Sequence, residues 1–340
     1  MTGRPRPLPP ELPYTVFTAT EARRAGISAS RLRASDLRSL SHDLWARTDG
    51  TVTERDIVAA LCRRDRHVFA VGLTAARLWG FPLPGSLGRE VVAAPSSPRR
   101  VGGRRVYKPG GRAVDTRIHM GTSGTLRRES ALVHWSRLSV DRVRLGEEPG
   151  VRLTSRIRTL LDLAGILGQD DLVIIGDHLV RMPRPALEGR ADPHASVEEL
   201  AEIAARFRGR GAITVREAMA QARVSSDSPA ETRLRLAVVR AGLPEPLVNV
   251  RAVVNSGERR EPIDLGEPDL HWPRWRVALE HEGPRHLRAE QLPRDIARAE
   301  RREKAGWIEV RTTAGDLGTG CRRGVARVRD ALLRHGWQPS

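Results

Sequence analysis

Asp269, Glu280, Glu282 and His286 stand close together in the chain, a combination suited to holding a cation and moving a proton. The three acids fall in Pro268-Asp-Leu-His-Trp-Pro-Arg-Trp-Arg-Val-Ala-Leu-Glu-His-Glu-Gly283, which reads as two short strands around a tight turn at Trp272–Trp275. Proline suits the first central position of such a turn. With Pro273 and Arg274 at its centre, Asp269 lies opposite Ala278, and Asp269, Glu280 and Glu282 project from one face. Leu270, Trp272, Val277 and Leu279 fill the other face. A one-residue slip would bury the acids and expose the apolar set, so the pattern fixes which face is which. Carboxylates crowded on one face repel unless a cation or proton sits between them, and a divalent metal answers that economically. Gly283-Pro-Arg-His286 then turns the chain so that His286 comes back over the acidic face.

The elements around the hairpin describe an α/β sheet covered by helices. Ser228-Pro-Ala-Glu231 opens a helix through Arg240, with Ser at the cap, Pro in the first turn and Glu three residues on as a capping box. Leu234, Val238 and Ala241 form its buried stripe, which leaves the arginines at 233, 235 and 240 on the exposed side. Strands are expected around Leu247–Val254 and Pro262–Leu265, then a helix from Pro293 to Ala305 ended by Gly306, and a strand Trp307–Arg311.

Five short motifs occur here in order: Ser-Pro-x-Glu-Thr-Arg, Pro-Asp-Leu-x-Trp-Pro, Glu-x-(acid)-Gly-x-x-His, Asp-x-x-Arg and Gly-Trp. On them, the stretch from 228 to 340 resembles the endonuclease-like domains of the very-short-patch-repair group, within the PD-(D/E)xK restriction-endonuclease-like fold. The resemblance implies a mixed sheet flanked by helices and Mg²⁺- or Mn²⁺-dependent phosphodiester hydrolysis. It places Asp269, Glu280 and Glu282 as metal ligands, and Glu231, His286 and Asp295 among the catalytic groups. Arg298, Arg301 and Arg302, one to two turns beyond Asp295, would clamp flanking phosphates. Two departures are visible: no lysine follows Glu280, where Glu282 stands instead, and His281 replaces the tyrosine usual in relatives.

The chain of 340 residues is long for one core and suggests several domains. Residues 1–13 read as a Pro-rich arm. Residues 14–52 outline a winged helix-turn-helix: a helix from Thr20 to Ala25, a turn at Gly26, a second helix from Ser28 to about Leu37, and a strand Leu44–Thr48. Arg31, Arg33 and Arg38 on that second helix would meet a DNA backbone. Residues 53–181 read as an α/β domain: helices begin after Thr53 and Ser155 and near Asp170, and strands are expected at Val91–Ala94, Arg104–Tyr107 and Arg117–Met120. Residues 182–227 read as a linker and helices. The first 180 or so residues resemble actinobacterial proteins related to the AbiEi-type antitoxins, nearest at Arg156-Ile-Arg-Thr-Leu-Leu-Asp-Leu163.

Charge points the same way. Fifty-eight Lys plus Arg oppose 41 Asp plus Glu, a formal +17 that favours polyanions, DNA first among them. Lys108 and Lys304 are the only lysines, so part of the arginine excess reflects composition bias. Cys62 and Cys321 match neither a disulfide framework nor a metal motif, and no signal peptide or membrane span is visible, so a cytoplasmic location is expected. Two readings stay open: a multidomain α/β (α+β) endonuclease whose front domains bind DNA or a partner, and a non-catalytic antitoxin-like DNA-binding regulator on a degenerate nuclease fold. Self-association is not fixed by the sequence.

Overall fold

The computed structural model describes residues 5, 7–94, 99–101, 104–106, 114–125, 130–138, 145–255, 262–283 and 292–339. The chain divides into two compact units, residues 1–168 with 207–215, and residues 169–206 with 216–340. Both combine helices with β-sheet, so the α/β (α+β) class stands. No helix among the described residues is long and apolar enough to cross a membrane.

The first unit opens with β1 (Val16–Thr18) and α1 (Ala19–Arg24), where Thr18 and Glu21 form a capping box. The expected second helix does not form. Ser28 Oγ caps only a single 3₁₀ turn, Arg31–Arg33, and the chain then enters β2 (Leu37–Ser41) and β3 (Leu44–Arg47). Leu37 is paired with Arg47 in a three-stranded antiparallel sheet of order β1-β3-β2, which stops the helical turn short. Arg38 therefore lies on a strand, and Arg31 is held by Asp36 at 2.6 Å. Arg33 and Arg38 are exposed.

Next come α2 (Glu54–Arg64), β4 (Val68–Ala70), α3 (Gly72–Leu78), the hairpin β5 (Arg99–Val101) and β6 (Arg104–Val106), β7 (Ile118–Thr122), β8 (Val133–Arg137), β9 (Leu145–Glu148), β10 (Val151–Thr154) and α4 (Arg156–Leu163). β8-β7-β4-β10-β9 make a mixed five-stranded sheet. Thr53 and Ser155 cap α2 and α4 as their sequence positions predict. Val91–Ala94 is not a strand: the Val91 N–H donates instead to the buried carboxylate of Glu54 at 3.2 Å, which also binds Arg77 and Thr74.

The second unit begins earlier than Ser228. α5 (Gln169–Val180), α6 (Pro185–Glu188), α7 (Val197–Arg206) and the end of α8 (Ala212–Met219) belong to it, so the helices of 182–227 are largely part of this unit. The reason is electrostatic: Asp177 is a lone acid on the buried face of apolar α5, and Arg235 of α9 (Pro229–Arg240) meets it at 3.0 Å. Arg235 is accordingly buried, not on the exposed side. Arg240 binds Asp170, and Arg233 lies 3.7 Å from Asp171.

A small hairpin of β12 (Val253–Val254) and β13 (Ile263–Asp264) stands beside the main sheet, which runs β11 (Leu247–Val248), β14 (Leu270–Trp272), β15 (Val277–Glu282), β16 (Ile308–Thr313). Its first two pairings are antiparallel and the last, β15 with β16, is parallel. Leu270, Trp272, Val277, Leu279 and Val310 face α9 and α12 (Arg322–Arg334) across the main core. The opposite face, with Ala278, packs against Leu265 and Trp307 and lies under α10 (Leu292–Lys304). The four-residue α11 (Ala314–Leu317) leads from β16 towards α12.

Candidate active site

The acids are positioned by the β14–β15 hairpin, whose register differs from the sequence expectation. The pairs are Leu270↔Leu279, His271↔Ala278 and Trp272↔Val277, so Asp269 sits one step beyond the last pair, opposite Glu280 and not Ala278. The turn is longer than two residues: Pro273–Trp275 form a 3₁₀ turn closed by Arg276 at φ 49°. A shift of two residues preserves side-chain parity, so the face assignment holds. Asp269 and Glu280 do share a face, with His271 beside them and His281 on the other side, bonded through Nδ1 to Thr312 Oγ1 at 3.1 Å.

Asp269 is half-buried. Its Oδ2 accepts the His281 N–H at 2.6 Å. Burial, with Glu280 and Glu231 nearby, pushes its carboxyl from the ordinary 3.8 up to about 7, against a downward pull from the His281 N–H and Arg298. This group therefore holds or releases a proton near neutrality.

Glu231 reaches the same place from the first turn of α9. Ser228 Oγ does accept the Glu231 N–H at 3.3 Å, but the reciprocal half of the capping box is missing. The Glu231 carboxylate instead accepts from the Asp227 N–H at 2.8 Å and from Asn249 Nδ2 at 2.6 Å. Asn249, at φ 48°, also donates its backbone N–H to the Asp269 carbonyl, tying α9 to the start of β14. Burial raises the Glu231 carboxyl above its usual range.

Glu280 meets the cation of this face. Arg302 is fully buried, and its Nη1 donates to Glu280 Oε1 at 2.6 Å and to Glu309 Oε2 at 2.8 Å, while Nε binds the Leu265 carbonyl. Arg298 Nε lies 3.8 Å from the same Glu280 oxygen. Arg302 is thus an internal counter-ion and not a phosphate clamp, and Arg301 Nε is engaged by the Asp264 carbonyl at 3.1 Å. Glu282 points away into solvent, 3.2 Å from Arg311.

The expected trio Asp269, Glu280 and Glu282 therefore does not converge, and among the described residues no three His, Cys, Asp or Glu side chains form a metal-holding group. The acids whose charge bears on Asp269 are Glu280 and Glu231. Asp269 Oδ2 and Glu280 Oε1 are engaged, whereas the second oxygen of each accepts no hydrogen bond from a described residue. His286 lies outside the described residues, as does the side chain of Asp295, whose backbone runs within α10.

Sequence reasoning missed Asn249 and His271, and it assigned Arg302 to phosphate where the structure pairs it with Glu280 and Glu309. His271 is buried, its Nδ1 has no partner, and burial with the nearby Arg302 charge lowers it to about 4, so the ring is neutral at physiological pH. The available signal was its place in the hairpin: His271 has the parity of Asp269, the face that carries charge. Comparison of the chain with family models, curated proteins and solved structures found no match in any of the three.

Proposed function

We propose that the second unit is a divalent-metal-dependent phosphodiesterase acting on DNA, an endonuclease of the very-short-patch-repair-like type, with the first unit serving as an antitoxin-like DNA- or partner-binding region. One observation carries this reading: half-buried Asp269 feels the charges of Glu280 and Glu231 and has an affinity for protons near neutrality. Such a cluster of titratable groups is a common mark of reactive sites.

The donor chemistry fits a hard cation. Asp269 and Glu280 each offer an oxygen that no described residue engages, and Mg²⁺ is ordinarily held by one or two carboxylates, with water and substrate phosphate completing its shell. When bound, the ion supplies neutralisation of phosphate charge and a more acidic water. Asp269 must lose its proton to act as a ligand, so binding strengthens as pH rises towards about 7. Glu231, fixed by Asp227 and Asn249, keeps Asp269 under negative potential. Arg302 anchors Glu280 from behind.

Calorimetric titration of Mn²⁺ into the chain at pH 7.5 and 5.5 tests the proposal, alongside plasmid cleavage. Binding is expected at the higher pH, weaker at the lower, and lost in Asp269→Asn; cleavage is expected to vanish in Asp269→Asn and Glu280→Gln. Cleavage that survives both substitutions, or Mn²⁺ binding indifferent to Asp269, overturns the site. The second reading, a non-catalytic DNA-binding regulator, is favoured by the internal pairing of Glu280 with Arg302 and Glu282 with Arg311. It predicts DNA binding with no Asp269-dependent uptake of Mn²⁺.

A further inference from the structure

The arginines of the second unit fall into two kinds. Those of α9 are matched one for one, Arg233 with Asp171, Arg235 with Asp177 and Arg240 with Asp170. Those of α12 are not. This helix carries Arg322, Arg323, Arg327, Arg329 and Arg334 against a single acid, Asp330. Its apolar side, Val325, Val328, Ala331 and Leu332, is buried in the main core, so the arginines share the outward side. Arg323 has no partner among the described residues, and Arg334 reaches only a backbone carbonyl, that of Asp330. Arg327 spends one contact on Asp316 at 2.5 Å and remains half exposed.

Spacing and placement give this basic face a direction. Arg323, Arg327 and Arg334 follow one another at four and seven residues, a single stripe along the helix about 16 Å long at ~1.5 Å rise per residue. The first turn of α12 lies at the acidic end of the sheet. A Cβ on Gly324 would stand 3.2 Å from Thr312 Cγ2 and 3.4 Å from Leu234 Cδ2, in the first turns of α9. Thr312 donates to the Glu280 carbonyl, and its neighbour Thr313 is in register with Glu282. The stripe therefore starts at the end of the sheet that carries Glu280 and Glu282, on the face opposite Glu280, and runs away from that end.

We infer that the exposed face of α12, through Arg323, Arg327 and Arg334, is a docking track for a nucleic-acid phosphate backbone, leading the strand towards the acidic end of the sheet. Charge complementarity selects this occupant: a row of guanidiniums of which Arg327 alone meets a carboxylate among the described residues, on a chain of net +17, suits a polyphosphate, which releases its counterions on binding. The inference rests on the nucleic-acid part of the reading above, but not on catalysis.

The test is fluorescence anisotropy of a labelled DNA duplex with the full chain in EDTA, across a salt series. In Arg323→Gln/Arg334→Gln, affinity should fall roughly tenfold and the log–log salt slope should shrink by about 2, at ~0.9 per phosphate contact. Both side chains are exposed and outside any ion pair among the described residues, so the thermal midpoint should not move, which separates lost contact from lost fold. Arg206→Gln on α7, whose charge is already matched by Glu202 at 2.5 Å, should bind like wild type. A double variant with wild-type affinity and slope overturns the track while leaving the nucleic-acid reading intact. A wild-type chain that binds no duplex overturns both. A chain that binds with the stated signature and cleaves nothing upholds the track and removes only the nuclease.

Discussion

Asp177 is a buried and Asp269 a half-buried aspartate of the second unit, and burial pushes both carboxyls upward, yet their surroundings are opposite. Asp177 accepts from the Arg223 N–H at 2.7 Å, from Thr232 Oγ1 at 2.8 Å and from Arg235 at 3.0 Å. Asp269 has one N–H donor and two acidic neighbours. The first arrangement spends its hydrogen bonds on joining α5 to α9. The second maintains a charge conflict within a folded core. Burial alone therefore does not separate a structural carboxylate from a reactive one; the sign of the neighbouring charges does.

The comparison breaks most visibly at Asp177. Asp177→Ala strands the buried Arg235 guanidinium, and urea unfolding should show a loss of about 3–5 kcal/mol. A loss under about 1 kcal/mol would mean the pair is not the tie between α5 and α9.

Asp269→Asn should act in the opposite direction. The unfolded group titrates near 3.8 and the folded one near 7, so across that window the folded chain holds a proton that the unfolded chain has released. Stability contributed by this proton falls as pH rises through the window and is gone above about 7. Removing the charge should therefore stabilise the protein at pH 8, by about 4 kcal/mol at most, and flatten the slope between pH 4 and 7. The His281 N–H keeps an acceptor in the amide oxygen. A variant less stable than wild type at pH 8 would place Asp269 with Asp177, as a structural group.

The smallest effect is expected at Glu282, the acid that left the cluster. Glu282→Gln breaks only its exposed pair with Arg311 and should change stability by no more than ~0.5 kcal/mol. A larger loss would show that Glu282 belongs to the buried network after all.

These contrasts also mark what was legible in the chain. Helix starts were, because a capping hydroxyl is a local instruction: Thr53, Ser155 and Ser228 each accept a first-turn N–H. The acidic face of the hairpin was legible through alternation, even though the turn is longer than two residues and shifts the register. The buried arginines were not. Arg235 lies four residues after Glu231 on the helix side that turns inward, and its partner is 58 positions away in sequence; Arg302 finds Glu280 at a separation of 22. Long-range charge pairs leave no periodic trace, but a lone acid on the buried face of a helix, as Asp177 is in α5, signals that a cation must come from elsewhere. The second helix of the N-terminal region was misread for a related reason: local capping favoured a helix, and pairing of Leu37 with Arg47 prevailed.

The discontinuous make-up of the second unit has a practical corollary for anyone dissecting this protein. A fragment cut at Ser228, where the motifs begin, would discard α5, uncover the apolar surface it packs on and leave Arg235 without its anion. Such a truncation would lack the buttress of its own first helix, so a silent C-terminal fragment would say nothing about the chemistry of Asp269. Carrying the boundary back to Gln169 restores that support.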